Sequence, residues 1–449
     1  MAKLFGTDGI RGVVNVNLTG ELAYRIGQAA AVSLKETTEK KPLVLIGMDT
    51  RISSPMLENA LTAGLCSCGA DVVKLGVIPT PAVAYLTVYQ GADAGIVISA
   101  SHNPFEHNGI KFFSAQGFKL SDETENRMEE LILQEEPLPA VTHDALGNVT
   151  DAGELKQKYL DHIASTVGNL SGLKIAVDCA NGAAAATAKE LFDRFDLNVT
   201  YLCDEPDGVN INRDCGSTSL WNLADIVRQG GFDLGLAFDG DADRCLAVDE
   251  RGRYVDGDQI MSICAMEMAK EERLTGGGFV ATVMSNIGLH KFAEAHGLKL
   301  FCASVGDRNV LELMQKEDMR LGGEQSGHII FLDHMTTGDG QLAALQFLDI
   351  ICRTGKKVSE LASLVTRYPQ VLINVPGPSD NADKKMLLEN ESLLDAVAEA
   401  ERQLAGDGRV LVRASGTEAL IRVMVEAGTP ELAESTARAI ASTVQTLQK

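Results

Sequence analysis

At four places in this chain a short apolar run stops abruptly in a polar turn. Residues 95–99 lead into Ser101-His102-Asn103, and residues 234–238 into Asp239-Gly-Asp-Ala-Asp-Arg244. Two more such turns are Gly323-Glu-Gln-Ser-Gly-His328 and Arg413-Ala-Ser-Gly-Thr-Glu418. Between apolar runs lie amphipathic stretches, as in strand 43–47, helix 55–68, strand 72–75, helix 81–90 and strand 95–99, with a further helix over 21–35. Strands alternating with helices pack as α/β layers. The pattern restarts at 174–178, running to the aspartate turn, and at 279–283, running to the Gly323 turn. The intervals are about 100 residues without obvious sequence identity, so the repeat is one of architecture.

From residue 370 the order changes to strand 370–375, a long helix 381–404, strands 409–413 and 420–427 and helix 430–447, an α+β unit. Pro137-Leu-Pro139 with the polar stretch to Asn148, then Arg251-Gly-Arg253, then Tyr368-Pro369 mark boundaries. The expected fold is therefore three topologically similar α/β domains (1–148, 149–252 and 253–367) plus a C-terminal α+β domain (368–449). One polar loop per domain suggests that all four face a central cleft.

The loops carry distinct chemistries. A serine hydroxyl is a weak nucleophile unless a base, a metal or prior modification activates it, so Ser101 needs a partner. Asp239, Asp241 and Asp243 supply three carboxylates at alternate positions, an oxygen-only set that suits Mg2+. Serine, Mg2+ and Arg244 together point to phosphoryl transfer. Glu250, twelfth from Asp239, invites comparison with an EF-hand, but Arg244 replaces the required glycine and the flanks are strand-like. Glu324, Ser326 and His328 offer one carboxylate and neutral hydrogen-bonders suited to sugar hydroxyls. Arg413, Ser415, Gly416 and Thr417 offer a guanidinium, hydroxyls and backbone N–H groups suited to a phosphate monoester, with Arg422 a second positive charge.

Together the loops resemble the alpha-D-phosphohexomutase superfamily from end to end of the chain, and most closely its phosphoglucosamine mutase branch. Leu4-Phe-Gly-Thr-Asp-Gly-Ile-Arg-Gly12 looks like that branch's N-terminal signature, and Gln325 stands where glucose and mannose mutases usually carry methionine. The resemblance implies that Ser101 is a phosphoserine and that Asp239, Asp241 and Asp243, with a phosphoserine oxygen, hold one Mg2+. It implies that Arg11, His102, Lys111 and Arg244 line the reacting phosphate, Lys111 being also a candidate proton shuttle. Glu324, Ser326 and His328 would contact the sugar, Asp307 and Arg308 would help choose its orientation, and Arg413, Ser415, Gly416 and Thr417 would hold the other phosphate. Ala414 and Ala419 depart from the proline often found there, which loosens the turn without touching the ligands.

The activity so implied interconverts glucosamine 6-phosphate and glucosamine 1-phosphate through a 1,6-bisphosphate, which also serves as primer, and feeds UDP-N-acetylglucosamine synthesis. Phosphoglucomutase or phosphomannomutase activity is the alternative. A sugar-phosphate sensor without turnover would not need Ser101 and three aspartates, and a phosphatase would release inorganic phosphate. With a net charge of -22 the chain is ill suited to nucleic acid. A sugar phosphate is reconciled with that charge if Arg11, Lys111, Arg244, Arg308, Arg413 and Mg2+ make one positive cleft. No apolar run is long enough to span a membrane and the N-terminus lacks a signal-peptide stretch, so a cytoplasmic protein is expected. The nine cysteines read as reduced residues, mostly in apolar segments, and a homodimer stays open.

Overall fold

The structure is a computed structural model that describes residues 4–6, 8–415 and 419–448. The chain forms two compact units. One comprises the residues up to Met284 together with Lys299–Leu364, the other Ser285–Leu298 together with the chain from Val365.

The first unit contains three sheets with one shared plan. In the first, His107–Ser114, Ala94–Ile98, Leu43–Met48 and Asp71–Val77 are adjacent in that order. In the second the order is Cys245–Asp249, Leu234–Phe238, Ser171–Asp178 and Asp196–Leu202, and in the third Ile329–Phe331, Leu321–Gly323, Gly278–Thr282 and Lys299–Ala303. Each time three parallel strands are followed by one antiparallel strand. The turn into that antiparallel strand carries Ser101, then Asp239–Asp243, then Glu324–His328. The three copies expected from strand order are thus present, and each loop leaves the carboxyl end of a parallel strand, the usual ligand-binding edge of such sheets.

Strand burial explains the apolar runs. Ala94–Ile98, Leu234–Phe238 and Gly278–Thr282 are buried at every residue, because helices or neighbouring segments cover both faces. The first sheet also takes Ile10–Val13 on one edge and Val149–Asp151 on the other. Val149–Asp151 lies just past the boundary expected at 148, so the first sheet closes with residues from beyond the linker.

The second unit has the antiparallel sheet Gln370–Pro376, Leu420–Ala427 and Gly408–Ala414, with Pro430–Thr446 packed over it. Val375, Leu393, Ile421, Val423, Ile440 and Val444 belong to its core. The long helix expected over 381–404 is two helices, Asn381–Leu388 and Glu391–Leu404. Asn390 sits between them in extended backbone and its side chain accepts from the Ser392 N–H, starting the second helix with a cap. No helix of the described residues is long and apolar enough to cross a membrane.

Candidate active site

Ser101 is buried and holds a left-handed backbone conformation (φ 51°), costly for a residue with a Cβ. Its backbone is gripped from both sides. The N–H donates to Ser99 Oγ (2.9 Å), which donates to Asp49 Oδ2 (2.6 Å). The carbonyl accepts from Arg51 Nη2 (3.1 Å) and Asn212 Nδ2 (2.9 Å), and the same two groups reach the Asn103 carbonyl. Arg51 is itself buried and paired with Asp49. Gly240 completes the grip, since a Cβ there would lie 2.4 Å from the Ser101 carbonyl oxygen.

The side chain points at the aspartate loop. Ser101 Oγ donates to Asp239 Oδ2 at 2.6 Å, bringing together loops that are far apart in sequence. Asp239, Asp241 and Asp243 are all buried, with one oxygen of each within 4.8 Å of the others. Burial, then the charges of Asp243 and Asp241, push the Asp239 carboxyl well above the usual carboxylate range. Asp241 Oδ1 and Asp243 Oδ1 are buried and accept no hydrogen bond. Three converging carboxylates with two unused buried oxygens fit a hard divalent cation, which would relieve the repulsion and satisfy both atoms.

Fixed positive charge surrounds this cluster. Lys111 Nζ lies 2.8 Å from Asp241 and 2.9 Å from Asp8, and although burial opposes its charge, Asp241 and Asp8 hold its proton more tightly than in water. That makes it a standing cation, poorly placed to shuttle protons. Burial would raise Asp241, but Lys111 and a hydrogen bond from Thr80 Oγ1 (2.7 Å) keep it ionised. Asp8 also pairs with Arg11 and Lys119, and Lys119 continues to Asp307. His102 Nδ1 accepts from Arg244 Nη1 (3.1 Å), and burial, then the charges of Arg244 and Arg11, pull its pKa down to about 4. The imidazole is neutral at ordinary pH.

The third loop reaches the same place. His328 is buried with Nδ1 3.5 Å from Asp243 Oδ2, while Gly338 N–H donates to Nε2 at 3.1 Å. Burial opposes a second proton on this ring, while Asp243 and then Asp307 favour it and prevail in raising its pKa. A proton on Nε2 would face the Gly338 N–H, however, so we assign the neutral Nδ1–H form, which orients Asp243. Glu324 accepts from Gly306 N–H (3.0 Å) and from Ser326 Oγ (3.1 Å), linking two of the expected sugar contacts. Arg308 turns to Asp122 (2.8 Å), Glu125 and the Leu120 carbonyl, so its charge is largely spent on the first domain.

In the second unit, Arg413 and Arg422 are cross-strand partners. Burial, then the Arg422 charge, pulls the Arg413 guanidinium pKa down, the repulsion an anion would relieve. Ser415 is buried and its carbonyl accepts from Lys384 Nζ (3.0 Å). Gly416 and Thr417 lie outside the described residues.

Sequence reading missed Asp8, Asp49, Arg51, Lys119 and Asn212. Asp49-Thr50-Arg51 had the right signal, since it too is a charged turn directly after an apolar strand, Leu43–Met48.

Profiles of the phosphoglucomutase/phosphomannomutase alpha/beta/alpha domains I, II and III match residues 2–138, 157–252 and 256–368, and that of the C-terminal domain matches 372–443. A phosphoglucosamine mutase of Acetivibrio thermocellus is 53% identical over 428 residues, 95% of each chain. A phosphoglucomutase/phosphomannomutase family protein of Burkholderia thailandensis shares the fold with a TM-score of 0.80 at 23% identity, over 99% of this chain and 98% of that one. The N-acetylphosphoglucosamine mutase of Aspergillus fumigatus, solved with GlcNAc-6P and magnesium, gives a TM-score of 0.68 at 19% identity, over 99% and 95%. With all four domain profiles matched in order, this chain belongs to the phosphoglucomutase/phosphomannomutase family of phosphohexomutases.

Proposed function

We propose that the chain is a phosphoglucosamine mutase, interconverting glucosamine 6-phosphate and glucosamine 1-phosphate through a phosphoserine at Ser101. The observation that carries it is the 2.6 Å contact of Ser101 Oγ with Asp239 inside a three-carboxylate cluster. Relatives of that name at 51–53% identity over nearly the whole chain support the aminosugar over glucose or mannose phosphates.

In the first half-reaction the bond between Ser101 Oγ and phosphorus breaks as the sugar's 1-oxygen bonds to phosphorus. The 1-hydroxyl proton ends on Ser101 Oγ, where Asp239 Oδ2 accepts the resulting hydrogen bond. The glucosamine 1,6-bisphosphate then turns over, and Ser101 takes the 6-phosphoryl group, its proton passing to the sugar's 6-oxygen. Arg11, Lys111 and Arg244 offset charge on the phosphoryl oxygens. Arg413 and Arg422 supply a guanidinium pair for the non-reacting phosphate. Glu324, Ser326 and His328 contact the sugar, with Asp307 setting its orientation, while Arg308 is engaged by Asp122 and Glu125. Asp239, Asp241 and Asp243 would hold Mg2+, which when bound withdraws charge from the serine oxygen and makes it a better leaving group. A sugar 1,6-bisphosphate primes Ser101, and the reaction takes place in the cytoplasm.

Intact-mass measurement of the purified protein and of S101A, before and after incubation with glucosamine 1,6-bisphosphate, tests the covalent step. One added phosphoryl is expected on the parent and none on S101A, whose mutase activity should vanish. Coupled assays on glucosamine, glucose and mannose 6-phosphates should give the highest kcat/KM for glucosamine. A higher value for glucose or mannose would sink the aminosugar assignment and leave the family.

A further inference from the structure

In the second sheet, where Asp178 pairs with Ala237 on the strand that leads to the aspartate loop, Asp178, Cys203 and Cys215 form a second cluster of ligand-type groups. One oxygen of Asp178 and the two sulfurs lie within 4.8 Å of one another. Asp178 ends the strand Ser171–Asp178, Cys203 follows the strand Asp196–Leu202 beside it, and Cys215 returns from the connecting segment. We propose that these three residues bind a soft divalent cation, Zn2+ by chemical class, with water in the remaining position.

Two thiolates and a carboxylate make three ligands of a tetrahedral site, and sulfur discriminates against Mg2+. Asp178 is held in aim, its Oδ1 accepting from Ala180 N–H (2.9 Å) and its Oδ2 from Gly216 N–H (2.8 Å), which leaves lone pairs on both oxygens. Cys203 is half-buried, giving an entry route, whereas Asp178 and Cys215 are fully inside. Around the cluster the backbone is locally strained, with left-handed conformations at Ala180, Asn181, Cys203, Asn212 and Asp214. Strain of this kind persists where surrounding structure holds it and gathers at functional sites.

The site has a direct line to Ser101. Cys203 and Cys215 are the two ends of the segment that carries Asn212, whose amide holds the Ser101 and Asn103 carbonyls, and Gly208, whose carbonyl accepts from Ile52 N–H. A cation bridging the ends ties this segment down. Binding releases the thiol protons, so affinity rises with pH.

The test uses the full-length protein with saturating Mg2+ to occupy the aspartates. Zn2+ should slow alkylation of Cys203 at least tenfold, read residue by residue by mass spectrometry, while exposed Cys302 reacts unchanged. Cd2+ should produce a thiolate charge-transfer absorption saturating at one equivalent per chain, abolished in C203A. D178N should keep the absorption and weaken Cd2+ at least tenfold. An unchanged alkylation rate at Cys203, an absorption surviving in C203A, or an unaltered affinity in D178N would overturn the proposal. So would recovery of a Cys203–Cys215 disulfide in place of retained metal.

Discussion

Arg51 Nη2 donates at 3.1 Å to the carbonyl of Ser101, while its other terminal nitrogen pairs with buried Asp49. The guanidinium thus fastens a left-handed serine to the rest of its domain. Lysine keeps the charge but cannot span Asp49 and two carbonyls with one compact ammonium. R51K should lower kcat about 100-fold, the scale of a small displacement of a reacting group. Steady-state kinetics showing KM raised with kcat intact would refute the positioning role.

Asn212 grips the same carbonyl without a buried charge. N212A should therefore lower kcat by about tenfold while costing only about 1 kcal/mol of stability. Parallel urea titrations and kinetics separate the two effects. A large stability loss with normal kcat would make Asn212 a fold residue only.

Asp241 Oδ1 is one of the buried oxygens without a partner. D241N removes one carboxylate charge from the cluster but keeps the shape, and Asp8 still pairs with Lys111. The Mg2+ concentration for half-maximal activity should rise at least about tenfold, the scale reported for disturbed metal sites. Mg2+ titration of activity and calorimetry check this, and an unchanged midpoint would remove Asp241 from the metal.

His102 titrates near pH 4 in the folded chain against 6.5 for an ordinary histidine, chiefly through burial and then the Arg244 charge. Between those values the unfolded chain binds the extra proton and the folded one does not. The stability is therefore present above about pH 6.5 and lost as pH falls toward 4. H102Q should flatten this acid slope by at most about 1.4 kcal/mol per pH unit, one proton's worth. Superimposable slopes of stability against pH would contradict the depressed pKa.

Asn390 discriminates one long helix from two by the sign of a stability change. In mid-helix, Asn→Ala stabilises by roughly 0.5 kcal/mol. At a cap whose side chain accepts from Ser392 N–H, N390A destabilises by about 1 kcal/mol. Chemical denaturation of N390A decides, with mutase activity expected to stay normal.

Ser101, the three aspartates and the Glu324–His328 loop were legible because each follows an apolar strand, and strand-then-turn is a local pattern. The triple repeat was legible for the same reason. The Asn390 break was not, because Ala- and Leu-rich periodicity continues on both sides and only the cap geometry reveals the interruption. Asp8 and Lys119 were hidden because a lone charged residue looks like solvated surface until its partners are known.

Residue order alone determined which chemistries the chain carries and that each sits at a strand end, since both depend on neighbours in sequence. Tertiary structure decided what those groups do to each other. Only folding sets Ser101 against Asp239, neutralises His102 beside Arg244, turns Lys111 into a fixed ion between Asp8 and Asp241, and directs Arg308 away to Asp122. The physical reason is that Coulomb and desolvation energies depend on distance and burial, which separation along the chain does not encode.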